Sequence, residues 1–190
     1  AYIDDDSTLT IGNSFSYQSR KGGDILALRN GSNGIHQYFE TNDSTRNVTT
    51  VSFDTLLSDG SRFVAKQSLA YFSRDLVTPG YRFKGTQFNS FADVAYFRTI
   101  GKNSLVIGGN VVFDRFREDR AANSNFNRSE TRSVVGGFAQ NTVDISEKLG
   151  FEAGIRVDHA KRYGTFALPR VSMLYRFTPK FTTRIGYGLG

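Results

Sequence analysis

His36 and His159 are the only histidines of the chain, and Asp158-His159 is its one adjacent acid–imidazole pair. A carboxylate beside an imidazole could serve general acid–base or proteolytic chemistry. That requires both groups to reach one reacting atom. The pair falls at the end of an alternating stretch, and neighbours on a strand point to opposite faces. No catalytic residue is assigned, and the chain reads as a non-enzyme. Asp4-Asp5-Asp6 suggests calcium, but the alternating acidic spacing, glycine and distal glutamate of a calcium loop are missing. The chain has no cysteine, so thiolate metal sites and disulfides are excluded. No phosphate-cradling or dinucleotide fingerprint occurs. Neither a metal nor a cofactor is expected.

The remaining charges follow a pattern. From Leu149 the odd positions are Leu149, Phe151, Ala153, Ile155 and Val157, while the even positions include Glu152, Arg156 and Asp158. Ala167, Pro169, Val171, Met173, Tyr175 and Phe177 then share a face opposite Arg170, Ser172, Leu174 and Arg176. After Thr178-Pro179-Lys180, a third run sets Phe181, Thr183, Ile185, Tyr187 and Leu189 against Arg184 and three small residues. Period two places each set on one face of a strand. With Asp93 and Asp114 from upstream strands, the charged face comprises Asp93, Asp114, Glu152, Arg156, Asp158, Arg170, Arg176 and Arg184.

The same alternation runs from Thr8 to Gly190 with no helical period, giving about nine strands of about ten to fourteen residues, long for globular strands and matched to a tilted bilayer crossing. Ile25–Leu28 fits either a strand extension or a small helix. Short connections at 58–60, 101–103, 146–148 and 178–180 alternate with longer ones at 18–46, 75–87, 118–131 and 160–165. Outer-membrane barrels have this asymmetry. Tyr71, Phe72, Phe113, Phe177, Phe181 and Tyr187 lie near strand ends, where an interfacial girdle belongs. A soluble β-sandwich shares the periodicity and stays open at this point, as does a small outer-membrane barrel with a structural, adhesive or protease role. Hydrophobic residues make up 38% and aromatics 14%, a mixture that suits strands with one apolar and one polar face. The net charge of +6 is dispersed among acids, so no nucleic acid partner is expected.

Phe138-Ala139-Gln140-Asn141, Asp144-Ile145-Ser146-Glu147-Lys148-Leu149, Arg156-Val157-Asp158-His159, Leu168-Pro169-Arg170-Val171-Ser172, Tyr175-Arg176-Phe177-Thr178-Pro179-Lys180 and Arg184-Ile185-Gly186-Tyr187-Gly188-Leu189-Gly190 follow in an order that resembles the barrel of TonB-dependent outer-membrane receptors. The flavour resembles the Bacteroidota type. The resemblance is specific over about residues 135–190 and looser upstream. It implies an all-β fold: an antiparallel transmembrane β-barrel segment, with residues 1–190 supplying about nine strands of a barrel of about 22 and the plug domain absent from this segment. It implies location in the bacterial outer membrane, contact with its lipid and with the rest of the same barrel, the TonB complex as partner through the plug, and a surface lipoprotein as a further partner. It implies energised import of a scarce nutrient such as a ferric siderophore, haem or cobalamin. The charged face then lines the lumen. Loops 75–87 and 118–131 become the ligand candidates, through Tyr81, Arg82, Phe83, Lys84, Arg120 and Phe126, because loops on a rigid frame commonly carry binding.

Overall fold

The computed structural model describes residues 2–119 and 128–190. Arg120 and Phe126 lie outside the described residues. The chain forms one ten-stranded antiparallel sheet in which every strand pairs with its sequence neighbours. The strands are β1 (Tyr2–Asp4), β2 (Ser7–Gly23), β3 (Phe39–Leu56), β4 (Arg62–Thr78), β5 (Tyr81–Ile100), β6 (Asn103–Glu118), β7 (Glu130–Asp144), β8 (Leu149–Ala160), β9 (Gly164–Thr178) and β10 (Phe181–Gly188). Nine are long, as the alternation predicts, and β1 is a three-residue addition joined through Asp5-Asp6. No helix among the described residues is long and apolar enough to cross a membrane.

Several boundaries differ from the sequence reading. Segment 18–46 is mostly strand: Gln18 pairs with Ser44 and Lys21 with Thr41, which leaves only 24–38 as the connection. That connection holds the helix α1 (Ile25–Asn30), capped by the Asp24 carboxylate accepting from the Leu26 and Ala27 amides. Segment 75–87 is likewise strand. Asp75 pairs with Lys84 and Thr78 with Tyr81, around a two-residue Pro79-Gly80 turn. Proline presets the first turn position and Gly80, at φ 73°, supplies the positive φ needed at the second. The 160–165 connection is a tight turn at 161–163. Along 18–21 and 41–46 the apolar alternation stops before the backbone ladder does, because the side chains are polar on both faces; along 75–87 the ladder continues while Leu76, Tyr81 and Phe83 put apolar groups on the opposite face from the upstream apolar set.

Cross-strand partners fix the two faces. Leu9, Phe53, Ala65, Val94, Gly109, Gly137, Val157 and Ala167 form one continuous rung. Ile11, Val51, Ala92, Val111 and Val135 belong to the next rung of the same face. That apolar face is the exposed one: Ile11 is 67%, Val135 53%, Ile155 50% and Ile185 68% exposed. Among the buried strand residues, Val64, Ala95, Ala160 and Asn42 lie on the opposite, polar face, and Ser7 is the exception at the start of β2. A single sheet exposes its faces unequally when it curls, so the apolar face is convex. A sandwich would bury that face against a second sheet, and the described residues form one sheet only.

The apolar belt also slides along the register. On β2 it runs from Leu9 toward the 24–38 end, through Ile11, Phe15 and Tyr17. On β9 it runs from Ala167 the other way, through Val171 and Met173 to Tyr175. The strands therefore cross a level belt obliquely, as the tilt of a barrel wall requires. Tyr175, Phe177 and Phe181 close it at the short-turn end, with ring centroids 4.7 and 5.4 Å apart. Phe72 is not part of this girdle; it pairs with Gln87 on the concave face, where Arg46 lies 5.8 Å from its ring.

The concave face is mixed rather than wholly polar. Phe138 lies across from Gly108, and a Cβ on Gly108 would come within 2.4 Å of the ring and 2.5 Å of the Val94 carbonyl oxygen. The carbonyl is backbone and cannot rotate away. Replacing Gly108 by Ala should lower the unfolding free energy of the full-length protein by about 1–3 kcal/mol, the usual cost of overpacking. Denaturant unfolding of the detergent-folded protein measures it.

Candidate functional site

All eight charges singled out by periodicity share the concave face. Asp93 pairs in register with Lys66, and Asn110 follows on the next strand. Asp114 accepts from the side-chain amides of Gln87, at 2.6 Å, and Asn89, at 3.1 Å. Arg156 donates from Nε to Asp158 at 2.8 Å and from Nη2 to the Asn110 side-chain oxygen at 2.9 Å. This cluster lies directly over Gly136, where a Cβ would meet Asp158 at 2.1 Å and the guanidinium at 2.6 Å. Arg170 binds Glu152 at 2.6 Å. Arg176 reaches Asp144 at 3.9 Å and the Glu147 carbonyl at 3.2 Å. Arg184 faces Leu174 and lines small clefts with Arg170 and Arg176. Arg156 with Asp158 and Arg170 with Glu152 are paired within this set, while Asp114 and Arg176 find partners outside it.

His159 and Asp158 part company as alternation requires. His159 turns to the convex face and meets the Thr165 hydroxyl at 2.9 Å, while Asp158 stays on the concave face with Arg156. Among the described residues no group of His, Asp and Glu is arranged to hold a metal.

A different cluster stands at the loop end of the concave face. Register splits the four predicted residues: Tyr81 and Phe83 face inward with Gly85, whereas Arg82 and Lys84 face outward and pair with Asp75, at 2.6 Å, and Asp119, at 4.0 Å. Phe83 stacks on Phe116, with centroids 6.2 Å apart and planes at 11°. A Cβ at Gly85 would sit 3.0 Å from both rings. The Arg128 guanidinium lies 5.2 Å from the Phe83 ring centroid, within cation–π range. It donates from Nε to both Glu118 oxygens, at 3.0 and 2.9 Å, and from Nη2 to the Tyr81 hydroxyl at 3.1 Å. The Glu118 side chain is 6% exposed and Arg128 48%. The buried acid therefore holds a half-exposed cation in a fixed pose.

Phe116 escapes the sequence reading, and Glu118 and Arg128 fall in the nominated 118–131 loop without being singled out. Extending the β6 alternation past Asp114 would have found the first two, since Phe116 and Glu118 continue its face. Arg128 has no such signal. Together the site offers a pre-oriented cation, a phenol and stacked aromatic faces. That set is chemically complementary to a group carrying anionic oxygens and flat apolar surface.

The Arg128 hydrogen bonds hold the Glu118 carboxyl below the ordinary glutamate range, against the opposing effect of its desolvation. At the other end of the rim, the hydrogen bond from His36 does the same for Asp24, whose carboxylate is 2.5 Å from Nδ1.

Comparison with known proteins places this geometry. A family model described as TonB dependent receptor-like, beta-barrel matches residues 1–190. The alcaligin outer membrane receptor FauA from Bordetella pertussis superposes with a TM-score of 0.79 at 10% identity, over 99% of this chain and 33% of that one. The siderophore receptor PirA from Pseudomonas aeruginosa gives 0.69 at 13%, over 98% and 30%. The ferric enterobactin receptor PfeA from the same organism, solved with enterobactin as the Q482A mutant, gives 0.73 at 13%, over 98% and 31%. The chain thus spans about a third of the length of these structures. No match was found among curated proteins.

Both rim carboxylates have depressed folded-state values, so their contribution is present above the unfolded values and fades as the pH falls through the lowered ones. Protection of the Leu26 and Ala27 amides should accordingly persist down to the ordinary aspartate range and fail only below it. Asp24→Ala should raise their exchange severalfold at neutral pH, as loss of a helix cap does. Hydrogen exchange on the full-length protein, corrected for intrinsic rates, reads both.

Proposed function

Since the chain belongs to the TonB-dependent receptor-like β-barrel family, we propose that the protein it builds is an outer-membrane active transporter that binds a ferric siderophore and imports it with energy from the TonB complex. The carrying observation is the coincidence of that family match with an outward apolar belt and an inward charged wall. An apolar convex face is the arrangement lipid demands, and a polar concave face is what a lumen needs. Siderophore as cargo is supported by the receptors whose fold this chain shares, which include proteins named for alcaligin and enterobactin. The rim cluster supports it chemically. A ferric chelate holds its iron through anionic oxygens, and Arg128, Tyr81 and the Phe83–Phe116 stack offer donors and aromatic faces in one place.

In this reading the 57–61, 101–102, 145–148 and 179–180 connections are periplasmic, and the 24–38, 79–80, 119–129 and 161–163 connections are extracellular. Tyr81, Phe83, Phe116 and Arg128 meet the cargo at the mouth. Arg82 and Lys84 face away from it, and their pairs with Asp75 and Asp119 stiffen the outer wall. Arg156, Asp158, Glu152, Arg170, Arg176, Arg184, Asp93 and Asp114 line the lumen.

The test is uptake by the full-length protein in cells lacking their own siderophore receptors. Radioactive iron supplied as ferric enterobactin or ferric alcaligin should accumulate only when TonB is present. Combined Phe83→Ala and Arg128→Ala should weaken binding about tenfold or more, the scale of losing an aromatic–arginine anchor. Accumulation without TonB, or none with any siderophore offered, would refute the proposal.

A further inference from the structure

Over β2–β5 the apolar belt carries polar side chains at its middle. On β2 the outward residues run Leu9, Ile11, Asn13, Phe15 and Tyr17. On β4 they run Phe63, Ala65, Gln67, Leu69 and Tyr71. In both runs a carboxamide takes the central position, with two belt residues toward each end. Between these strands β3 adds Thr49, in the rung of Asn13 and Leu69, and Asn47, in the rung of Phe15 and Tyr71. Ser90 on β5 carries the strip one strand further, beside Leu69. None of these side chains is charged. On β6, β8 and β9 the belt is whole: the outward residues of Leu105–Phe113, Phe151–Val157 and Ala167–Met173 include no polar side chain. On β7 the outward amide Asn141 lies toward the short-turn end, where it donates to Asn103 at 2.9 Å.

The strip is only partly bonded to itself. The Asn13 and Asn47 carboxamides exchange hydrogen bonds of 3.3 Å, and Asn13 also donates to the Thr49 hydroxyl at 2.8 Å. Gln67 donates to the Ser90 hydroxyl and to the Ser68 carbonyl, both at 3.1 Å. Among the described residues the Gln67 side-chain oxygen accepts nothing, and the second N–H of Asn47 is unused. Asn13 is exposed, and the other four are half-buried. Hydrocarbon offers neither donor nor acceptor, so polar groups facing it are costly. Lipid headgroups lie beyond the Phe15 and Tyr71 rung and cannot reach the middle of the belt. Protein is the covering that answers such a strip.

We propose that the β2–β5 sector of the convex face is a homodimer interface, in which Asn13, Asn47, Thr49, Gln67 and Ser90 meet the same strip on a second copy of the protein. The proposal rests on the outer-membrane reading above. Symmetry selects a copy over an unlike partner. Two barrels in one membrane stand in the same orientation, so the twofold axis relating them runs along the membrane normal. Every residue then meets residues of its own depth: amides face amides, and the rings of Phe15, Tyr71 and Phe88 face rings. An amide is also its own complement, since it carries both donor and acceptor. The Gln67 oxygen left over on one copy answers the Asn47 N–H left over on the other. An unlike partner would need a matching uncharged strip at that same depth.

The experiment uses the full-length receptor, purified from outer membranes and returned to lipid vesicles at low density with one fluorophore per copy. Photobleaching steps read the oligomer, and heat-modifiable gel mobility reads folding. Wild type should bleach in two steps. Asn13→Leu/Gln67→Leu should keep the folded mobility, because leucine suits lipid, and should associate at least about tenfold more weakly, the scale of losing several intramembrane hydrogen bonds. A second arm works in native outer membranes. In a receptor with no other cysteine, Thr49→Cys should give a disulfide-linked dimer on oxidation, and Val157→Cys, further around the wall, should not. One-step bleaching by wild type, undiminished pairing of the folded double variant, or a Thr49→Cys cross-link that is absent or joins a different protein would each overturn the interface. Wild-type protein found outside the membrane fraction would instead overturn the barrel reading beneath it.

Discussion

The structure depends on one constraint: in hydrocarbon every backbone donor and acceptor must find its partner within the protein. An uninterrupted antiparallel ladder from β2 to β10 meets it across the whole width of the sheet. Once the ladder is fixed, side chains have only two directions available, and the sequence assigns them consistently. Val94, Val111, Val135 and Val157 go outward; Asp93, Asn110 and Asp158 go inward, with Gly136 leaving room for them. The result is inverted relative to a soluble domain. Apolar side chains are the exposed ones, and the few well-buried strand residues, Val64, Ala95 and Ala160, sit on the side that also carries the charges.

That inversion explains how wall and mouth divide their tasks. Along the wall, Arg156 bridges Asp158 and Asn110, and Arg170 pairs with Glu152. At the mouth, Glu118 does not neutralise Arg128 so much as aim it, since the acid is buried and the guanidinium half-exposed over Phe83. A fixed cation loses little freedom when a ligand arrives, which is the advantage of preorganisation. Outside the belt the same residue type does different work. On the convex face Arg82 is consumed by Asp75.

Period-two alternation made much of this legible in the sequence. It placed Glu152, Arg156, Asp158, Arg170, Arg176 and Arg184 on one face and separated Asp158 from His159 without any structure. It failed where the apolar signal ended before the hydrogen bonds did. Gln18–Lys21 reads as loop because its side chains are polar on both faces, and Asp75–Lys84 because Thr78-Pro79-Gly80 signals a turn and Leu76, Tyr81 and Phe83 break the alternation, yet both backbones pair to the end of the ladder. The same error put Tyr81, Arg82, Phe83 and Lys84 together as one loop patch, when register divides them between the concave and convex faces. Contacts between distant segments were beyond reach. Nothing in the local sequence says that Arg128 will lie on Phe83, or that Phe138 needs a glycine at 108.

The central claim is the orientation of the two faces, and spin-label accessibility tests it most directly. Single cysteines replace Val111 or Val135 on the convex face and Asn110 or Ser172 on the concave face of the full-length receptor in lipid vesicles. Labels at Val111 and Val135 should relax strongly with oxygen, which concentrates in the bilayer, and weakly with a water-soluble nickel chelate; labels at Asn110 and Ser172 should show little contact with oxygen. Oxygen-rich environments at Asn110 and Ser172, or nickel-accessible ones at Val111 and Val135, would contradict the account.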